Sequence, residues 1–141
     1  MLWVVSGAGR RVGKTWLGER LSQALPDAVY AKVGHGPNKP GKPGNYFTSV
    51  DAFLAFHSSL PEGCLHCVAE SNAQALRDRA GLRVFIGPRP DTRDLRSDAA
   101  TLEEQADIRI GPDANQDGWQ AVLETHLDDP HRDRQAGSGA N

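Results

Sequence analysis

The chain has 141 residues with 15 glycines, 9 prolines and 38% hydrophobic residues; with glycine counted, about half of it is apolar, which is the composition of one ordinary globular domain. Its 16 Lys and Arg against 18 Asp and Glu leave a formal charge of -2, so the cationic excess that duplex binding demands is missing and nucleic acid is set aside as a partner. No apolar run reaches the roughly 18 to 20 residues of a membrane span, the first residues lack the pattern of a secretory leader, and Cys64 and Cys67 are too few for a disulfide scaffold. The expected compartment is the cytoplasm, with no membrane contact.

Leu2 to Val5 is a short apolar run that stops at Ser6-Gly7, the pattern of a buried strand entering a turn. From Lys14, the apolar residues Trp16, Leu17, Leu21, Ala24 and Leu25 recur at helical spacing until Pro26. Ala28 to Val33 predicts a second strand, and the glycines and prolines between Gly34 and Gly44 exclude regular structure there. Thr48 to Ser59 reads as a helix with Val50, Phe53, Leu54 and His57 on one side and Thr48 or Ser49 as its cap. Leu65 to Ala69 predicts a third strand, Asn72 to Ala80 a helix, and Leu82 to Ile86 a fourth strand. Asp98 to Gln105, Asp107 to Ile110 and Trp119 to Leu127 then read as helix, strand and helix.

Strands alternating with helices predict an α/β domain of three layers around a mostly parallel sheet, covering residues 1–127. Residues 128–141 carry nothing to bury and are expected to be a disordered tail. Two strands end alike, in Ile86-Gly87-Pro88 and Ile110-Gly111-Pro112, and the carboxyl edge of an open parallel sheet is where ligands sit.

Chemistry concentrates in Ala8-Gly9-Arg10-Arg11-Val12-Gly13-Lys14-Thr15. It follows the Walker A pattern, with Ala8 where glycine is usual, and it stands where that motif has mechanical meaning, between an apolar strand and an amphipathic helix. A tight turn there aims backbone N–H groups inward, Gly13 lets a β-phosphate approach, Lys14 reaches the β/γ-oxygens and Thr15 ligates Mg²⁺. Arg10 and Arg11 either reach the γ-phosphate or point to solvent. The predicted third strand closes on Glu70, the acid placed to orient the Mg²⁺; the bland alternative is a solvent-facing glutamate at a strand end.

Four features together carry a family resemblance: the phosphate loop near residue 1, Lys32-Val33-Gly34-His35, the Lys39-Pro40-Gly41-Lys42 segment, and Val68-Ala69-Glu70. In these features residues 1–75 resemble the molybdopterin-guanine dinucleotide biosynthesis protein B (MobB) family of P-loop proteins. The resemblance implies an adaptor, usually associated with GTP and Mg²⁺, that assists the nucleotidyltransferase attaching GMP to molybdopterin and is at most a weak GTPase. By position it also implies phosphate contacts from Gly9 to Thr15, metal contacts from Thr15 and Glu70, and Lys32 and His35 on the phosphate or cofactor side, with Lys39 and Lys42 toward substrate or partner. The alternative is an ATP-dependent carboxylate kinase similar to dethiobiotin synthetase, which shares a strand-end lysine like Lys32 and a Val-Glu strand ending. In that chemistry Lys14, Mg²⁺ and Lys32 neutralise the moving phosphoryl group. The usual Gly-Thr-Asp-Thr opening of those kinases is absent from Ser6-Gly7-Ala8-Gly9, which places them second.

Base contacts are expected from the loops after the Ile-Gly-Pro turns, with Arg89, Asp91, Asp113 and Asn115 as candidates. Cys64 and Cys67 read first as structural cysteines, since two thiolates are half a zinc site and redox pairs sit at helix starts. Asp51 is either a surface residue or a second metal ligand. The apolar side of the second helix either joins the core or pairs two copies into a homodimer.

Overall fold

The computed structural model describes residues 1–9, 12–34, 45–88, 92, 94–110 and 124. The predicted helix from Trp119 to Leu127, the tail 128–141 and the Gly111-Pro112 turn lie outside the described residues, apart from Glu124. Among the described residues there are ten elements, in the order β1 (Leu2–Gly7), α1 (Lys14–Ala24), β2 (Ala28–Val33), β3 (Asn45–Phe47), α2 (Val50–Ser58), β4 (His66–Glu70), α3 (Gln74–Arg77), β5 (Leu82–Ile86), α4 (Ala99–Gln105) and β6 (Ile108–Ile110). The six strands form one sheet in the order β3-β2-β4-β1-β5-β6, and every pairing is parallel. This is the expected α/β architecture.

Side-chain alternation divides the core between the two faces of the sheet. Trp3, Val5, Val68, Val84 and Ile86 meet Leu17 and Leu21 of α1, and Leu25 just after it, on one face. Leu2, Val4, Ala31, Cys67 and Ala69 meet Phe53 of α2 and Leu76 of α3 on the other, where Phe85 packs against Leu102 of α4. The sheet therefore lies between two helical layers. β1 is buried along its whole length because β4 and β5 flank it and helices cover both sides, which is why it reads as an uninterrupted apolar run.

Three differences from the sequence expectation have local causes. β3 was not anticipated: three residues carry too little alternation to signal a strand, and they become one by pairing with β2, helped by the Asn45 side-chain amide donating to the Tyr30 carbonyl at 3.2 Å. The helix expected over Asn72 to Ala80 contracts to the four residues of α3. At its start the Ser71 hydroxyl accepts from the Ala73 N–H and the Asn72 side chain is drawn to Gly7; at its end Arg79 and Ala80 bond back three residues, in a tightened turn. β4 is displaced by one residue, leaving Leu65 exposed and taking in Glu70.

The cap of α2 is the expected one, with the Ser49 hydroxyl accepting from the Ala52 N–H at 3.1 Å. Ser49→Ala is expected to cost about 1 kcal/mol, read as a lower urea midpoint at unchanged slope. Phe53 is fully buried, and Phe47 and Phe56 pack beside it, their ring centroids 4.9 Å apart.

Candidate functional site

The turn after β1 is tied down from three sides. Ala8 donates its N–H to the Ile86 carbonyl at 3.0 Å and accepts from the Arg96 N–H at 2.8 Å. Its methyl group is buried against Phe85 and Leu102, so alanine fills a place that glycine would leave open. The Gly7 N–H donates to Asn72 Oδ1 at 3.1 Å, the Ser6 hydroxyl to the Ser71 carbonyl at 2.7 Å, and the Ser71 N–H to the Val5 carbonyl at 3.0 Å. Together these bonds fasten the end of β1 to the segment that leaves β4.

Gly13 caps α1 with φ 98° and ψ 22°, a left-handed conformation that a Cβ would strain, and its carbonyl starts the helical ladder by accepting from the Leu17 N–H. The Lys14 stem runs back across Gly7, where a Cβ would come within 3.0 Å of Cγ and Cδ. The Lys14 chain thus lies over the end of β1 at the start of α1.

Glu70 is the last residue of β4 and the register partner of Val5 on one side and Lys32 on the other. Only 5% of it is exposed, and a carboxylate so placed must be paired. Its Oε2 accepts from the Thr15 hydroxyl at 2.8 Å and from the Tyr30 hydroxyl at 2.6 Å, while Oε1 faces Lys32 Nζ at 3.7 Å. Burial, reinforced by the charge of Glu70 and the bond to it, holds the Tyr30 phenol well above its ordinary pKa, so it remains a neutral donor through the physiological range. The oxygen donors of Thr15 and Glu70 suit a hard cation carried with phosphate oxygens and water. Among the described residues no three His, Cys, Asp or Glu side chains are grouped to hold a metal ion without such help.

Comparison with protein-family models finds no match, and comparison with curated proteins finds none either. The geometry and the motifs therefore carry the functional reading alone.

Of the residues singled out from the sequence, Thr15, Lys32 and Glu70 come together, next to the turn formed by Ala8, Gly9, Val12, Gly13 and Lys14. Arg10, Arg11, His35, Lys39 and Lys42, and the base candidates Arg89, Asp91, Asp113 and Asn115, lie outside the described residues. Asp51 is exposed in the first turn of α2, on the opposite face of the sheet from α1, so the second-ligand reading falls away. Sequence reasoning missed Tyr30 and Asn72. Tyr30 had a usable signal, since it stands two residues before Lys32 on a strand and so shares its face. Asn72 had none, because its partner is 65 residues away.

No helix among the described residues is long and apolar enough to cross a membrane. Cys67 is a core residue whose thiol is pushed up to about 12 by burial first and then by the neighbouring Cys64. Cys64 is half-buried, and its Sγ lies 3.4 Å from the His66 carbonyl, while His66 Nδ1 accepts from Trp3 Nε1. A thiol reagent at pH 8 is expected to label Cys64 in the folded protein and Cys67 only on unfolding, because the reacting species is the thiolate. Labelling of both at equal rates in the folded protein would contradict the placement of Cys67. Since the Cys67 pKa is raised by folding, its contribution to stability is complete below the ordinary thiol range and is lost as pH climbs from there toward 12.

Proposed function

We propose that the chain binds a purine nucleoside triphosphate with Mg²⁺ through Ala8 to Thr15, with GTP preferred, and acts as an adaptor in molybdopterin guanine dinucleotide synthesis. The observation that carries the nucleotide reading is the 2.8 Å hydrogen bond from Thr15 to Glu70, joining the motif's last residue to the acid at the end of the adjacent strand. A threonine hydroxyl has one hydrogen and two lone pairs, so donation to Glu70 leaves the lone pairs for a cation. Bound Mg²⁺ would offset the charge of the β- and γ-phosphates. The loop N–H groups and Lys14 hold phosphate oxygens, and Glu70 orients the Thr15 hydroxyl.

Hydrolysis in this reading is slow. Glu70 already receives two hydroxyl hydrogens and faces a lysine, which makes it a poor base toward water. The Asn72 side chain that follows is engaged by Gly7 rather than turned to a nucleophile. The adaptor role rests on the resemblance carried by Lys32 to His35, Lys39 to Lys42 and Val68 to Glu70. One observation favours the kinase alternative: Lys32 is 29% exposed beside Glu70, where an ammonium group can meet a transferred phosphoryl group.

Thermal unfolding with Mg²⁺ and GTP, with Mg²⁺ and ATP, and with Mg²⁺ alone separates the readings. A nucleotide at about 100 times its dissociation constant stabilises the folded state by about 2.7 kcal/mol. Stabilisation by GTP supports the adaptor, and co-purification with a molybdopterin nucleotidyltransferase then tests the partner. Stabilisation by ATP alone supports the kinase, and no shift with either overturns nucleotide binding.

A further inference from the structure

Tyr30 belongs to no nucleotide motif, yet its hydroxyl makes the shortest of the contacts to Glu70, 2.6 Å from Oε2, the same oxygen that receives the Thr15 hydrogen. A second feature, on a different element, serves the same contact. The Tyr30 ring lies against Gly18 of α1, where a Cβ would come within 2.6 Å of ring carbon Cε2. Glycine inside a helix costs roughly 0.5 to 1 kcal/mol relative to alanine, and here that concession opens the space the ring occupies. Gly18 stands one turn beyond Thr15, so the same helix that presents the hydroxyl donor also seats the tyrosine.

We propose that Tyr30 is a positioning residue for the cation of this site. Resting on the nucleotide reading above, the proposal is that the Tyr30 hydroxyl fixes the Glu70 carboxylate in the orientation that takes the Thr15 hydrogen, and so aims the Thr15 lone pairs. Lys32 contributes charge but not orientation, because at 3.7 Å it makes no close hydrogen bond to Oε1. Without the tyrosine, Oε2 loses one of its two hydroxyl donors, and the carboxylate is free to turn toward Lys32 or water. Thr15 then has no fixed acceptor.

The expected effect is confined to the cation-dependent part of nucleotide affinity. Partners that orient a metal's ligands change metal affinity by about 10- to 100-fold when removed. The experiment is calorimetric or fluorescence titration of GTP and ATP into the full chain, with Mg²⁺ and with EDTA, for wild type, Tyr30→Phe and Gly18→Ala. Tyr30→Phe keeps the ring and is expected to weaken binding about tenfold with Mg²⁺ while leaving binding in EDTA unchanged. Gly18→Ala keeps the hydroxyl but displaces the ring, and is expected to shift the Mg²⁺-dependent affinity in the same direction.

Equal losses with Mg²⁺ and in EDTA would make Tyr30 a purely structural partner of Glu70 and overturn the proposal. Unchanged Mg²⁺ enhancement in Tyr30→Phe would also overturn it while leaving nucleotide binding intact. A wild-type chain that binds neither nucleotide overturns both readings. The alanine variant guards against a fold defect, since unfolding by Tyr30→Phe alone would leave Gly18→Ala to decide.

Discussion

A Lys14→Ala variant is expected to bind GTP and ATP at least about a hundredfold more weakly than wild type, which corresponds to about 2.7 kcal/mol. Hydrogen bonds to charged groups are worth about 1.5 to 3 kcal/mol each, and the ammonium group also offsets a phosphate charge that the loop's N–H groups meet only as dipoles. The thermal shift by Mg²⁺ and nucleotide should disappear with it. The folded state should survive, because Lys14 is half-buried at the first position of α1 and its removal vacates space beside Gly7 instead of opening the core. Wild-type affinity in this variant would refute the phosphate-loop assignment. Circular dichroism of the same sample distinguishes lost binding from lost fold.

Trp3→Ala is expected to destabilise the domain by about 3 to 5 kcal/mol, measured as a fall in the urea midpoint. Trp3 is fully buried in β1, between Val68 of β4 and Leu82 of β5, and packs on the α1 face of the sheet. Its indole N–H also donates to His66 Nδ1 at 3.1 Å, the imidazole lying edge-on at a centroid distance of 6.0 Å. Truncation therefore leaves a cavity at the strand that leads into Ala8 to Thr15 and removes a donor from His66. Against a total stability of about 5 to 15 kcal/mol for ordinary domains, this loss is at least a fifth of the whole. Trp16→Ala should cost much less, since that ring is half-buried on α1 and shares its surface with Arg20, whose guanidinium lies 5.5 Å from the ring centroid.

These two residues show how unevenly the molecule can be read from its sequence. Lys14 belongs to an eight-residue motif whose parts are consecutive, so one loop at one helix start holds the whole pattern. The observed bounds of β2 and β5 coincide with the runs that predicted them. Glu70 was also legible, as an acid ending an apolar run. That it stands beside Val5, with β4 directly adjacent to β1, is a property of the strand order alone.

By itself the sequence determined the α/β class, the Walker A pattern, the start of α1 at Lys14 and the place of Glu70 at a strand end, because each is written in residues close together along the chain. Tertiary structure alone decided what surrounds that acid and that loop. Tyr30 reaches Glu70 across 40 residues and Asn72 reaches Gly7 across 65, and β3 exists because β2 offers it an edge. Hydrophobic periodicity reports which face of an element is buried; it does not report which polar groups a given strand order brings within hydrogen-bond distance. For Glu70 that order decides everything: a strand-end glutamate that could have faced water is instead buried and held by Thr15, Tyr30 and Lys32.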